Sequence, residues 1–260
     1  MYFTEEEMAE QKLAVIEFWE NEYLEQITYL ITMDKQKMLE GFQTKEDIRS
    51  DWEQFLGKET SDFAVGSERI FYWLFNQFGI PNSSPVGSDL FFETYNAYVH
   101  IDIKTVTLAN IGDFTKNIFV GDNQNSYIGE IEVKGSENRP YQGHLPTFYT
   151  KKDGEKKICL TYFLVILYNE QNLDIQAIVL SCMPNGDLQS VYGNKVLAAG
   201  KNPGKIRFNY SAIPKFELLK DKYRTKIILW NDDMEDKIKA RLKPLAEIYE
   251  IQEKCNNEDV

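Results

Sequence analysis

Residues 85 to 105 read Pro-Val-Gly-Ser-Asp-Leu-Phe-Phe-Glu-Thr-Tyr-Asn-Ala-Tyr-Val-His-Ile-Asp-Ile-Lys-Thr. Two apolar runs, Leu90 to Phe92 and Tyr98 to Lys104, are separated by the polar residues Glu93 to Asn96. Aromatic and β-branched runs around a short polar break predict two strands joined as a hairpin. Along the second run side chains alternate between faces, so Asp102 and Lys104 share one face while Ile101 and Ile103 share the other. Asp89 opens the first run, just after the turn formers Pro85 and Gly87. Pairing the runs lets the carboxylates of Asp89 and Asp102 meet.

Two carboxylates and a lysine so placed suit the hydrolysis of a phosphodiester. That reaction drives water into an anionic centre and releases an alkoxide, so a divalent cation must acidify the water and offset the growing charge. Hard oxygen ligands favour Mg²⁺ over softer metals. A neighbouring lysine offsets the repulsion between the carboxylates and can hold or deprotonate the attacking water. An Asp-x-Lys strand by itself is common by chance and more often marks a sheet edge whose charged face meets water. The upstream Asp89, its turn and a preceding helix favour the catalytic reading. That helix is predicted over residues 64 to 79, with Ser67 as N-cap, Glu68 in the first turn, apolar residues at 70, 71, 74, 75 and 78, and Gly79 and Pro81 as a stop. Glu68 there also suits the positive end of the helix dipole, so it is treated as an accessory residue.

These residues together resemble the signature of type II restriction endonucleases of the PD-(D/E)xK nuclease superfamily, which has a glutamate on an early helix, then Pro-Asp, then Asp or Glu-x-Lys. The matching positions are Glu68, Ser88-Asp89 and Asp102-Ile103-Lys104. Ser88 departs from the family's proline, a residue that shapes the turn and carries no chemistry. The motif-bearing resemblance spans about residues 64 to 105, with a looser match through a strand ending near Tyr168. It implies an α/β fold with a mixed central β-sheet flanked by helices around a restriction-endonuclease-like core. It further implies Mg²⁺ held by Asp89, Asp102 and the Ile103 carbonyl, water handled by Lys104, and a homodimer matched to a palindromic duplex. A competing Glu-x-Lys lies in Glu130-Ile131-Glu132-Val133-Lys134, with Asp113 or Asp122 as its upstream acid. It ranks second, because its upstream segment is polar and loop-like.

The 260 residues suit a single α/β domain: an acidic helical part (1–62), a catalytic core (64–183), a basic DNA-contacting part (193–230) and a C-terminal helix (232–252). No apolar run approaches a membrane span and the start lacks a basic signal segment, so a bacterial cytoplasmic protein is expected. Cys159, Cys182 and Cys255 are too few and too scattered for a disulfide framework or a zinc knuckle. His100 and His144 are too few for a histidine-based nuclease.

A net charge of −12 opposes DNA binding until its distribution is read. Residues 1 to 62 hold sixteen Asp+Glu against six Lys+Arg, or −10, whereas residues 195 to 226 hold nine Lys+Arg against two acids, or +7. The basic segment, with Lys195, Lys201, Lys205 and Arg207 around glycine-containing loops, is expected to reach phosphates. The polar stretch Leu108 to Ser126, with Asn110, Lys116, Asn117, Asn123, Gln124 and Asn125, is expected to be a loop that can enter a groove and pair with adenine.

From Glu5 to about Asp34, Leu13, Ile16, Trp19, Tyr23, Leu24, Ile27, Leu30 and Ile31 keep a helical period with acids on the other face. Residues 157 to 168 and 174 to 183 are predicted as central strands, and 206 to 210 and 226 to 230 as further strands. The function expected is a sequence-specific, Mg²⁺-dependent endonuclease acting on double-stranded DNA in a restriction system. A structure-specific repair or recombination nuclease, or a non-enzymatic interaction protein working through its acidic helices, are the alternatives.

Overall fold

The fold is built on the longest apolar runs of the chain. In the computed structural model, which describes residues 5–47, 51, 54, 63–76, 78–81, 87–133, 135, 137–200 and 206–258, the strands in chain order are β1 (Ile80–Pro81), β2 (Leu90–Glu93), β3 (Ala97–Thr107), β4 (Ile118–Val120), β5 (Ile128–Ile131), β6 (Arg139–Gln142), β7 (Phe148–Thr150), β8 (Lys156–Tyr168), β9 (Ile175–Met183), β10 (Leu197–Ala199), β11 (Ile206–Phe208) and β12 (Thr225–Trp230). The helices are α1 (Glu5–Met33), α2 (Lys35–Asp47), α3 (Phe63–Leu74), α4 (Gly112–Thr115), α5 (Gln189–Tyr192), α6 (Asp236–Arg241) and α7 (Lys243–Glu258), with short 3₁₀ turns between.

The main sheet has the order β1-β2-β3-β8-β9-β12, with β7 also paired to β8. β8 is buried from Lys157 to Leu167, as expected of a strand covered on both faces. β3 runs parallel to it from Ala97–Ile158 to Thr107–Tyr168, while β2–β3, β8–β9 and β9–β12 are antiparallel. The sheet is therefore mixed. α1 packs on β8, β9 and β12, α3 on β3, and α7 on β12. A second sheet, β10-β11-β4, and the hairpin β5–β6 complete the strands among the described residues.

Three local expectations need correction. α3 includes Phe63, so Ser67 is an interior residue whose Oγ donates to the Phe63 carbonyl at 2.7 Å, and Glu68 lies in the second turn. Residues 108 to 126 are not a plain surface loop: they contain α4 and β4, and Ile111, Phe114, Ile118 and Val120 are buried. Those apolar residues, spaced among polar ones, anchor the segment to the core. On α1 the apolar stripe Ile16, Tyr23, Leu24, Ile27 and Ile31 is buried as its period dictates, but Glu17 and Glu20 are buried completely as well.

The reason for the buried acids is Arg224, also fully buried, whose Nη2 lies 2.7 Å from Glu20 Oε2 and 3.2 Å from Glu17 Oε1. Its Nε donates to Tyr192 Oη at 2.8 Å, and the rings of Phe216 and Tyr192 flank the guanidinium. Glu17 Oε2 accepts from the N–H groups of Leu218 and Leu219, and Glu20 Oε1 from that of Asn185. Burial pushes Glu20 up to about 7 against the pull of Arg224. Such a cluster is tolerable only because nearly every lone pair is matched. Among the described residues no helix is long and apolar enough to cross a membrane.

Candidate active site

The β2–β3 ladder ends at the Leu90–Ile101 pair. Asp89 continues along the edge of β3 by its side chain: Oδ2 accepts the Ile103 N–H at 2.7 Å. In an extended strand a residue's N–H and C=O leave on the same edge, so the Ile103 carbonyl also faces the Asp89 side. The hairpin thus brings an aspartate from a strand start to the middle of the Asp-x-Lys strand.

Asp102 is 2 % exposed. Its Oδ1 accepts from Gln124 Nε2 at 2.7 Å, and its Oδ2 lies 2.5 Å from Lys104 Nζ. Burial raises Asp102 to about 7, with Lys104 pulling it down and the Asp89 carboxylate pushing it up. Two carboxylates in contact, one of them desolvated, attract positive charge strongly. Lys104 supplies part of it and remains about a quarter exposed, its Nζ 5.7 Å from the centre of the Phe119 ring.

Gln124 reaches Asp102 because the backbone of 121 to 126 is clasped from several sides. A Cβ on Gly87, whose φ is +73°, would fall 1.9 Å from the Asn123 carbonyl oxygen; one on Gly143 would fall 2.3 Å from that of Asn125, and one on Gly186 2.6 Å from that of Ser126. Only glycine permits such approach. Asn125 adds internal bonds, its Nδ2 donating to the Gly121 carbonyl and to Tyr141 Oη while its Oδ1 accepts the Tyr127 N–H.

The remaining expected residues fall elsewhere. Gln124 and Asn125, expected at a DNA groove, are buried and turned inward, whereas Asn110, Lys116 and Asn123 are exposed and Asn117 half-buried. Glu68 is half-buried on α3. Arg207 pairs with Asp113 at 2.9 Å and Lys195 with Glu217 at 3.6 Å, and Lys201 and Lys205 lie outside the described residues. Much of the +7 segment is therefore partnered within the fold, Arg224 most completely. Of the competing motif, Glu130 and Glu132 are exposed, Glu130 on the β5–β6 hairpin, and Lys134 lies outside the described residues. Sequence reasoning missed the inward role of Gln124, since a glutamine in a polar stretch carries no signal of which way it faces.

The family model of the N-terminal domain of the type II restriction enzyme MwoI matches residues 12–172, and that of its central domain residues 175–230. A sequence comparison with curated proteins finds no match. Among solved structures, the restriction endonuclease BglI, bound to its DNA recognition sequence, aligns over 84% of this chain and 97% of its own with a TM-score of 0.57 and 14% identity. The tetrameric restriction endonuclease SfiI, bound to cognate DNA, aligns over 85% of this chain and 87% of its own with a TM-score of 0.61 and 14% identity. At these identities the two structures speak to the fold, which they share. The family models, covering most of the chain, settle the rest: this protein belongs to the family of type II restriction enzymes represented by MwoI.

Proposed function

We propose that Asp89, Asp102, the Ile103 carbonyl and Lys104 form a PD-(D/E)xK-type centre that cleaves double-stranded DNA at a specific sequence with Mg²⁺. The observation that carries this reading is the junction of Asp89 Oδ2 with the Ile103 N–H, which sets one carboxylate beside the Asp102–Lys104 pair. The donor set suits the cation: two carboxylates and a carbonyl are hard oxygen ligands, and Mg²⁺ commonly keeps further positions for water and phosphate. Among the described residues no cluster of three or more His, Cys, Asp or Glu is placed to hold a metal. A bound Mg²⁺ would acidify the attacking water and offset charge on the phosphate. Lys104, tethered to Asp102 as an ammonium and partly exposed, would hold that water by donating to it. Glu68 on α3 is an accessory.

The chain is read as one nuclease domain over residues 1–260, since β8 and β9, either side of the boundary between the matched family models, are hydrogen-bonded neighbours in one sheet. A homodimer in the bacterial cytoplasm, two centres facing two strands of a duplex, is the assembly such a site calls for. Asn110, Lys116, Asn117, Asn123, Lys195, Lys201, Lys205 and Arg207 remain the proposed DNA contacts. The test is to incubate the purified protein with plasmid and genomic duplex, with Mg²⁺ and with chelator. Discrete fragments only with Mg²⁺ are expected. Cleavage confined to branched or single-stranded DNA, or none at any divalent ion, would overturn the reading.

A further inference from the structure

Gln124 uses both ends of its side chain amide. The Oε1 accepts the Gly121 N–H at 2.7 Å, and the Nε2 donates to Asp102 Oδ1 at 2.7 Å. The backbone N–H can only donate, so the acceptor end of the amide must face it and the donor end must face Asp102. The residue is 9% exposed, and its backbone is held by the close approach of Gly87 to Asn123 on one side and of Gly143 to Asn125 on the other. Reading an adenine edge would require both ends of the amide to be free.

We infer that Gln124 is a positioning residue for the cation-binding carboxylate. It pins Oδ1 of Asp102 with a neutral donor, which fixes the carboxylate plane without cancelling its charge, and so aims Oδ2 toward Lys104 and the Asp89 edge. A cationic residue in its place would neutralise the carboxylate and compete with the metal. Partners of ligating groups of this kind set the orientation of the ligand, and their loss commonly costs about 10- to 100-fold in metal affinity or activity. The inference rests on the metal-centre reading above.

The experiment titrates the full-length protein with Tb³⁺ by luminescence, with Ca²⁺ as competitor, and measures the Mg²⁺ concentration giving half-maximal cleavage. Wild type, Gln124→Met, Gln124→Glu and Asp102→Ala are compared, with DNA affinity measured in chelator and thermal unfolding recorded for each. Gln124→Met is expected to weaken Tb³⁺ binding and raise half-saturating Mg²⁺ by about 10- to 100-fold, with metal-free DNA affinity unchanged and excess Mg²⁺ restoring part of the rate. Gln124→Glu keeps the acceptor for Gly121 and loses the donor to Asp102, so it remains informative if the methionine variant fails to fold; its turnover is expected to fall at least tenfold. Unchanged turnover and half-saturation in the glutamate variant, or lost DNA affinity with intact Tb³⁺ binding, would overturn the inference. Undiminished Tb³⁺ binding in Asp102→Ala would instead overturn the metal-centre reading itself.

Discussion

Gly87 and Asn123 are joined by an approach that leaves no room for a side chain: a methyl group on Gly87 would sit 1.9 Å from the Asn123 carbonyl oxygen. The contact ties the turn that presents Asp89 to the loop that presents Gln124, so two distant segments share one position. Gly87→Ala should therefore separate them, costing about 1–3 kcal/mol from strained backbone and the clash together. Gly154 has a φ of +91° but open space around its Cα, and serves as the control. Gly154→Ala is expected to cost stability and spare cleavage, Gly87→Ala to lose both. Equal cleavage by the two variants would mean that the contact does not organise the centre.

Asp89→Ala and Asp102→Ala are each expected to reduce cleavage to the level of an enzyme-free control. The fold should survive, since Asp89 lies at a strand start and Asp102 gives up its contacts with Gln124 and Lys104 without opening the apolar core. Far-ultraviolet circular dichroism and gel assays on the same preparations check both halves. Near-normal turnover in either would move the assignment to Glu130 and Glu132.

Lys104→Ala should suppress turnover yet leave metal-assisted DNA binding intact, because in the proposed centre it removes the group assigned to the water and leaves the carboxylates in place. Lys104→Arg is expected to rescue poorly, the guanidinium being planar and always charged. Single-turnover rates against gel-shift affinity in Ca²⁺ separate the two effects. Full activity in the alanine variant would reduce Lys104 to a charge-balancing residue.

Arg224→Met is expected to destabilise the protein by about 3–5 kcal/mol, since it leaves Glu17 and Glu20 buried without their cation. Urea unfolding measures the loss. A cost below about 1 kcal/mol would show that the two acids find other partners on relaxation.

Stability should also carry a mark of Glu20, raised from its ordinary 4.5 to about 7. The folded state keeps a proton there that the unfolded chain releases, so this contribution is full below about 4.5 and is lost as the pH rises through about 7. Glu20→Gln stays neutral throughout. Relative to that variant the wild type should lose on the order of 1–3 kcal/mol between those limits, read from urea unfolding at fixed ionic strength. A difference flat with pH would place the ionisation of Glu20 elsewhere.

Sequence alone made the hairpin legible because strand alternation and a polar break constrain Leu90 to Lys104 locally. The meeting of Asp89 with the Asp102 strand followed from that hairpin. β8 and β9 were legible as long apolar runs. What escaped was long-range pairing of polar groups. Glu17 and Glu20 sit on a helix where acids ordinarily face water, and nothing near them in the chain announces Arg224. Gln124 and Asn125 looked like groove contacts because exposure and inward bonding use the same residue types. Within the basic segment a charge count cannot tell Arg224 in the interior from Lys195 on the surface.

The distance along the chain between Glu17 and Arg224, 207 residues, also makes the lock a timing device. During synthesis α1 emerges first, and its two inward carboxylates must remain hydrated while β2, β3, β8 and β9 are still being made. Only when the segment through Arg224 has left the ribosome can those charges be matched and α1 settle against the sheet. An incomplete chain would therefore hold β8 and β9 without the helix that packs on them, and the residue just before β12, the last strand of the sheet, is the one that completes the match.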